Sequence, residues 1–241
     1  SEMCIEMCPS NVTTTYKGTL AFEDQWPAQK DYDMNDVMVT YQSTLYRNVL
    51  SSKIYKIVDE FTPLHSGGTH ICGFGYQLHN LEPDRVRSIE VSGPDGWKIE
   101  TDQSHPTIIL FDNIKSVLNK KFTVTIELAD VELNQVTPPY NPFIFVNGRN
   151  REVHLVNYAP TDKADESLFN TNDDMSNVDA GIYYITRYGE EVDIMPFAIN
   201  LPILDFSIPT EGVKIYDTYP GFIDWVKSKG TSNKDWYKNK K

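Results

Sequence analysis

Oxygen-bearing side chains crowd one short stretch of the chain, between Phe22 and Asp36. Asp31, Asp33 and Asn35 alternate along it, and alternate side chains of an extended or gently curved loop point to the same side. Converging hard oxygen ligands suit Ca²⁺, which accepts about six to eight of them in flexible geometry. We therefore predict one Ca²⁺ site, with ligands drawn from Glu23, Asp24, Asp31, Asp33, Asn35 and Asp36.

The spacing of these residues does not complete an EF-hand. Asp36 occupies the place of the turn glycine, and Gln42 stands at the position of the closing glutamate. The residues Val37–Tyr41 then have the pattern of a strand rather than of an exit helix. This favours a calcium loop that leads into a β-strand. The alternative is a solvated acidic turn, which Asp and Asn hold by hydrogen bonds to the backbone and which needs no metal.

A second oxygen-rich segment, residues 170–179, contains Asp173 and Asp174 as weaker candidate ligands. It could form another site, close the first from across the fold, or be an ordinary loop, since Asn, Asp and Ser are common loop residues. His70 and Cys72 argue only weakly for a transition metal, because no second paired motif accompanies them.

Composition and charge narrow the range of partners. The 241 residues include 22 basic and 34 acidic side chains, for a formal charge of −12. We expect no nucleic-acid partner, because phosphate contacts need Lys and Arg. No apolar run approaches the roughly 18 residues of a membrane span. The 3 cysteines are too few for a disulfide scaffold, although Cys4 and Cys8 could pair or stay reduced.

Motifs of known enzyme classes are missing from the sequence. It contains no G-x-S-x-G, no H-E-x-x-H and no Walker loop. The 34 acidic residues supply many candidate pairs for glycoside hydrolysis, but the sequence does not choose among them. We therefore expect a protein that is not an enzyme, with a hydrolase as a less favoured possibility.

The elements that position these residues are predicted to be strands. Phe122–Leu128 alternates apolar and polar residues with the period of two expected of a half-buried strand. Gly, Pro, Asn and Asp separate eight further strand-like stretches, at Asp36–Tyr46, Lys53–Thr62, Gly73–Leu78, Val86–Val91, Thr107–Phe111, Arg151–Val156, Ile182–Arg187 and Leu204–Ile208. This series predicts an all-β fold, an antiparallel β-sandwich or jelly-roll-like structure with under about a fifth of the residues in helices.

Two stretches have helical patterns, Asp112–Leu118 and Tyr219–Lys229. The second is expected to be a short C-terminal helix that packs on the sandwich, with Pro220 in its first turn. Two prolines near residues 135–141 mark a soft boundary. We divide the chain into a flexible segment 1–12, a β part 13–136 that carries the acidic loop, and a β part 137–241; the two β parts could also be one domain.

A series of motifs runs in order through nearly the whole chain, from Thr19 to Tyr237. The motifs are Phe22–Pro27, Asp31–Val39, Gly73–Leu78, Asn141–Ile144, Leu168–Asp174, Tyr183–Thr186, Trp225 and Asp235–Tyr237. By these motifs the chain resembles the LruC-domain family, although Met195–Phe197 departs from the Leu-Pro-Trp more common there. The resemblance implies an exported β protein of Bacteroides-type bacteria, at the outer-membrane surface or outside the cell, often with a lipid anchor upstream, and no assigned activity.

Together these observations predict a cell-surface, non-catalytic, calcium-stabilised β-sandwich protein that acts in adhesion or binds an extracellular protein or glycan. The alternative is a carbohydrate-binding module of a polysaccharide-handling system. That module would need exposed aromatic side chains, and the candidates are Trp26, Trp97, Tyr140 and Tyr158.

Overall fold

The computed structural model describes residues 11–241, apart from the side chain of residue 193. The expected flexible segment 1–12 therefore falls almost entirely outside the described residues. The pairing of Cys4 with Cys8 falls wholly outside them.

Strands dominate the described chain, and every named strand pair is antiparallel. A six-stranded sheet has the order β13-β1-β2-β3-β8-β5, a five-stranded sheet has the order β10-β9-β4-β7-β6, and β11 pairs with β12. The bounds are β1 Asn11–Phe22, β2 Val37–Asn48, β3 Ile54–His65, β4 Cys72–Gln77, β5 Val86–Ser92, β6 Lys98–Glu100, β7 Thr107–Phe111, β8 Phe122–Val131, β9 Asn141–Val146, β10 Glu152–His154, β11 Ile185–Tyr188, β12 Val192–Pro196 and β13 Ala198–Leu201.

Alternation along the strands gives the six-stranded sheet two apolar faces. Leu20 and Phe22 of β1 lie in the main core, between this sheet and the five-stranded sheet. Ala21, between them, belongs to a second apolar cluster on the opposite face, as does Met38 of β2. Because successive side chains of a strand point to opposite faces, this end of the sheet needs a cover on its outer side.

Two short helices near the C-terminus supply that cover. They are α1, Ile215–Thr218, and α2, Phe222–Lys227. Phe222 and Val226 lie on one side of α2 and are buried in the second cluster with Ala21 and Met38. The predicted C-terminal helix is therefore present but shorter than expected, and Pro220 lies between the two helices instead of within a first turn.

The predicted fold class is confirmed: 39% of the residues are in strands and 12% in helices. Two predicted elements are wrong. Asp112–Leu118 forms only a 3₁₀ turn, Ile114–Ser116, because the Asn113 side chain caps it and Asn119 takes a left-handed conformation (φ 61°) that turns the chain into β8. Leu204–Ile208 has no strand partner among residues 11–241; the prolines at either side of it lack amide donors, and its Phe206 is buried in the second cluster instead.

Five strands lie outside the predicted stretches. β1 begins with exposed residues that carry no apolar alternation, and β6, β9, β12 and β13 have six residues or fewer. β9 begins directly after the two prolines taken as a boundary and pairs with β4. Residues from both sides of that boundary thus share one sheet, and the division into two β parts stays a prediction.

Candidate metal site

The acidic loop, residues 23–36, joins two paired strands. Phe22 at the end of β1 pairs with Val37 at the start of β2. The two ends of the loop are therefore neighbours, and the backbone N–H of Asp24 donates to Asp36 Oδ2 at 2.8 Å. This pairing explains why carboxylates twelve residues apart in sequence meet in the structure.

The middle of the loop has an unusual backbone conformation. Lys30, Tyr32 and Met34 all have positive φ angles, of 48°, 51° and 57°. Left-handed residues other than glycine are uncommon, and they persist only where surrounding structure holds them. Tyr32 and Met34 are held by burial in the second apolar cluster. Because Tyr32 and Met34 alternate with Asp33 and Asn35, the two apolar side chains lie in that cluster and the two polar side chains lie near the other acidic residues.

Three of the six predicted ligands form one compact group. Glu23, Asp31 and Asp33 each place a carboxylate oxygen within 4.8 Å of the others. Glu23 and Asp33 are fully buried, and Asp31 is half-buried. Such a separation leaves room for one cation bound by all three carboxylates, at the 2.3–2.6 Å typical of Ca²⁺.

Two buried oxygens, one in this group and one on the adjacent Asn35, lack hydrogen-bond donors within residues 11–241. Glu23 Oε1 accepts from the backbone N–H of Met34, but Glu23 Oε2 has no partner. Asn35 Oδ1 is also without a partner, whereas its Nδ2 donates to the Pro209 carbonyl at 3.3 Å. An unsatisfied buried polar group costs about 1–3 kcal/mol, and more if it is charged. Both oxygens are therefore suited to a bound cation.

Electrostatics in the loop disfavour ionised carboxylates without a cation. Burial, and then the charge of Asp36, raises the pKa of Glu23 well above its usual range. Burial, and then the charge of Asp24, raises the pKa of Asp36 to about 8. Burial also raises the pKa of Asp33, against the hydrogen bond from the Gly212 N–H. A divalent cation would offset this repulsion.

Asp24 and Asp36 form a second part of the site, at the other side of the loop. Asp24 is fully buried; its Oδ1 lies 3.0 Å from His70 Nδ1, and its Oδ2 accepts from the Cys72 thiol at 3.6 Å. Arg151 also lies close and donates to the carbonyl oxygen of Asp24 at 3.0 Å. These contacts give Asp24 hydrogen-bond partners that Glu23 Oε2 does not have.

Gly67 and Gly68 pack directly against the site. A Cβ atom at Gly67 would lie 2.3 Å from Asn35 Oδ1, and one at Gly68 would lie 2.2 Å from Asp24 Oδ2. Contacts this short do not occur, so only glycine allows the acidic side chains to approach the backbone here. The Gly67 N–H also donates to the carbonyl oxygen of Asn35 at 3.2 Å.

The second acidic segment is engaged in hydrogen bonds with the first. Asp174 is buried, and its Oδ1 accepts from Trp26 Nε1 at 2.8 Å. Its Oδ2 accepts from the backbone N–H of Asn170 at 2.9 Å. Asp173 Oδ2 accepts from the backbone N–H of Gln29 at 2.8 Å. These bonds fasten the acidic loop to the rest of the fold; a metal at Asp173 and Asp174 stays a prediction.

Sequence reasoning missed several residues that surround the site. Gly67 and Gly68 are not among the predicted site residues, and His70 is predicted only as a weak transition-metal ligand. Glu211 had no signal at all, because it lies about 175 residues beyond the loop in the sequence. A pair of adjacent glycines just after a predicted strand was the one feature that could have indicated a close backbone approach.

Two of the four aromatic side chains predicted as candidates for carbohydrate binding are buried. Trp26 and Tyr140 are each 1% exposed and belong to the main core. Tyr158 is half-buried, and Trp97 is 38% exposed. The four side chains therefore do not form one exposed aromatic surface.

Comparison with known proteins places the chain in a family without an assigned activity. No helix in the described part of the chain is long and apolar enough to cross a membrane. No curated protein matches the chain. A crystal structure described as that of a "putative lipoprotein" from Bacteroides ovatus has the same fold, with a TM-score of 0.72 and 21% identity over 97% of this chain and 75% of the other. Residues 52–237 match the family described as a domain of unknown function, DUF4842, whereas the LruC-domain resemblance stays a prediction. The chain thus belongs to the DUF4842 family.

Proposed function

We propose that this protein is a calcium-stabilised, non-catalytic protein of the cell surface that acts in adhesion or binds an extracellular ligand. The observation that carries the calcium part is the fully buried Glu23. Its Oε2 has no hydrogen-bond partner among the described residues, and one of its carboxylate oxygens lies within 4.8 Å of carboxylate oxygens of Asp31 and Asp33. A calcium ion supplies the missing positive charge and the missing oxygen partner together. The metal thereby fixes the loop between β1 and β2.

The cell-surface part is supported by the shared fold. The Bacteroides ovatus protein of similar structure is described as a putative lipoprotein, and lipoproteins carry a lipid anchor at a membrane. Calcium-binding modules outside cells bind the ion with dissociation constants of about 10⁻⁴–10⁻³ M. A site of this affinity is loaded in an environment with millimolar calcium, so the metal can serve as a permanent structural part.

The alternative functions find less support in the described residues. A carbohydrate-binding module of the aromatic-platform type is disfavoured, because Trp26 and Tyr140 are buried. A glycan hydrolase needs two carboxylates that flank a cleft. A cavity of about 450 Å³ lies between β13 and α2, and no Asp or Glu is among the described side chains that line it. Apart from the half-buried Asp31, the acidic residues of the loop are instead buried, and Asp24 and Asp36 pack against Gly68.

The calcium proposal is tested by thermal unfolding and calorimetry of metal-stripped protein. A ligand at a hundredfold excess over its dissociation constant stabilises the folded state by about 2.7 kcal/mol. For a chain of this size, this corresponds to a rise in Tm of about 5–10 °C relative to EDTA. Mg²⁺ should substitute poorly, because it resists losing its water shell.

Two variants make the test specific. Asp33→Asn keeps the shape of a buried ligand but removes its charge, so most of the calcium-dependent rise in Tm should disappear. Asp84→Asn is the matched control, because Asp84 is exposed and remote from the loop in the 3₁₀ turn before β5. If calcium and EDTA melts coincide and calorimetry detects no binding, the loop is a solvated turn and the proposal fails.

The binding role is tested by measuring adhesion of the calcium-loaded protein to arrayed glycans and extracellular proteins; no binding to either would refute it.

A further inference from the structure

A segment far from the acidic loop in sequence lies directly against it. The backbone N–H of Gly212 donates to Asp33 Oδ2 at 2.8 Å. Asn35 Nδ2 donates to the carbonyl oxygen of Pro209 at 3.3 Å. These two bonds flank Glu211 and place it beside the predicted ligands, although nothing in the sequence pattern connects it with them.

The side chain of Glu211 lies beside one unpartnered oxygen, Asn35 Oδ1. A Cβ atom at Gly67 would lie 2.3 Å from Asn35 Oδ1 and 3.0 Å from Glu211 Oε2, so both oxygens border one point. Glu211 makes no salt bridge with any residue from 11 to 241. Burial, and then the charges of Asp33 and Asp31, raise the pKa of the Glu211 carboxyl, against a hydrogen bond with the Asn35 side chain. A carboxylate held among other carboxylates is unfavourable unless a cation lies between them.

We propose that Glu211 is a further ligand of the calcium ion, so that metal binding fastens the C-terminal segment, residues 209–241, to the acidic loop. The inference rests on the proposed calcium site. Glu23 and Asp33 are the ligands on the buried side of the site, and Glu211 is the ligand on its solvent side. Because the Glu211 residue is exposed, the calcium ion can enter the site from that side.

A series of contacts connects Glu211 with the two helices of the C-terminal segment. Ile215, four residues beyond Glu211, donates its backbone N–H to the carbonyl oxygen of Tyr32 at 2.9 Å. The Tyr32 ring lies 6.4 Å from the ring of Phe222 in α2, and Phe222 contacts Trp236. Holding Glu211 against the loop therefore also holds α1 and α2 over the outer face of the six-stranded sheet.

The test is a calcium titration of the full chain, as wild type, Glu211→Gln and Glu190→Gln. Glu190 is exposed in the turn between β11 and β12, and its variant loses the same charge away from the site. Glu211→Gln should weaken calcium binding about tenfold or more, and Glu190→Gln should leave it unchanged. In EDTA, Glu211→Gln should melt at or above the wild-type temperature, because it removes repulsion without removing a packed side chain.

Limited chymotrypsin digestion reports on the C-terminal segment. Calcium should protect the wild type from cleavage after Phe222 and Trp236, whereas EDTA should expose these sites. At a calcium concentration that just saturates the wild type, Glu211→Gln should be cleaved there and Glu190→Gln should not. If the wild type binds calcium and Glu211→Gln binds it equally tightly, Glu211 is not a ligand, although the calcium site itself stands. If the wild type binds no calcium, both proposals fail.

Discussion

Asp59 is a carboxylate buried between the two large sheets, and it should make the stability of this protein depend on pH. It lies on β3, is fully buried, and accepts hydrogen bonds of 2.9 Å from the hydroxyls of Tyr76 and Tyr140. Burial outweighs these bonds and raises its pKa from 3.8 to about 6. The folded protein therefore binds this proton more tightly than the unfolded chain does.

The direction of the effect follows from proton linkage. Because the folded-state pKa is raised, the stability associated with protonated Asp59 is fully present below about pH 3.8 and is lost as the pH rises through about 6. A shift of about two pKa units corresponds to about 3 kcal/mol, of which about 2 kcal/mol develops between pH 4 and pH 7. Asp59→Asn removes the titration but keeps the size of the side chain. The free energy of unfolding of Asp59→Asn, relative to wild type, should therefore rise by about 2 kcal/mol from pH 4 to pH 7.

Urea unfolding in EDTA at several pH values measures this difference. Other titrating groups, including those of the acidic loop, are common to both proteins and cancel in the comparison, as does any constant cost of the changed hydrogen bonds. Asp84→Asn again serves as the exposed control, because it reports how far any Asp to Asn change depends on pH. If the free energies of unfolding of wild type and Asp59→Asn change with pH by the same amount, the reasoning is wrong.

Three further outcomes are expected from urea unfolding or calcium titration. Phe222→Ala should cost about 3–5 kcal/mol, because the ring is fully buried in the second cluster; a loss below about 1 kcal/mol would mean that α2 is only loosely docked. Asp174→Ala should cost about 3 kcal/mol or more, because it leaves the buried Trp26 Nε1 and Ser176 N–H, and the partly buried Asn170 N–H, without an acceptor. Asp173→Ala, at an exposed position, should cost much less, and equal losses would contradict this. Gly68→Ala should weaken calcium binding strongly, because the new Cβ would lie 2.2 Å from Asp24 Oδ2; unchanged affinity, with Ser66→Ala as the neighbouring control, would show that the close approach is dispensable.

Local patterns were sufficient to predict the fold class. The period-two alternation of Phe122–Leu128 identifies β8, and turn residues separate most of the other strands. These features are local, because a half-buried strand must alternate wherever it lies in the chain. The Asp31–Asp33–Asn35 spacing likewise indicated a group of carboxylates, of which two now meet Glu23.

Only the tertiary structure decided which side chains complete the site and which strands extend the sheets. β13 is four residues long and is recognisable as a strand only through its pairing with β1. Glu211 carries no local signal, and the Gly67-Gly68 pair does not reveal what packs against it, because both roles depend on contacts between segments that are distant in sequence. Trp26 illustrates the same point: its sequence neighbours suggest an exposed loop, but Asp174 accepts its indole N–H, and the ring is buried. The physical reason is that burial and charge depend on every segment that packs around a residue, whereas periodicity depends only on the residue's own strand.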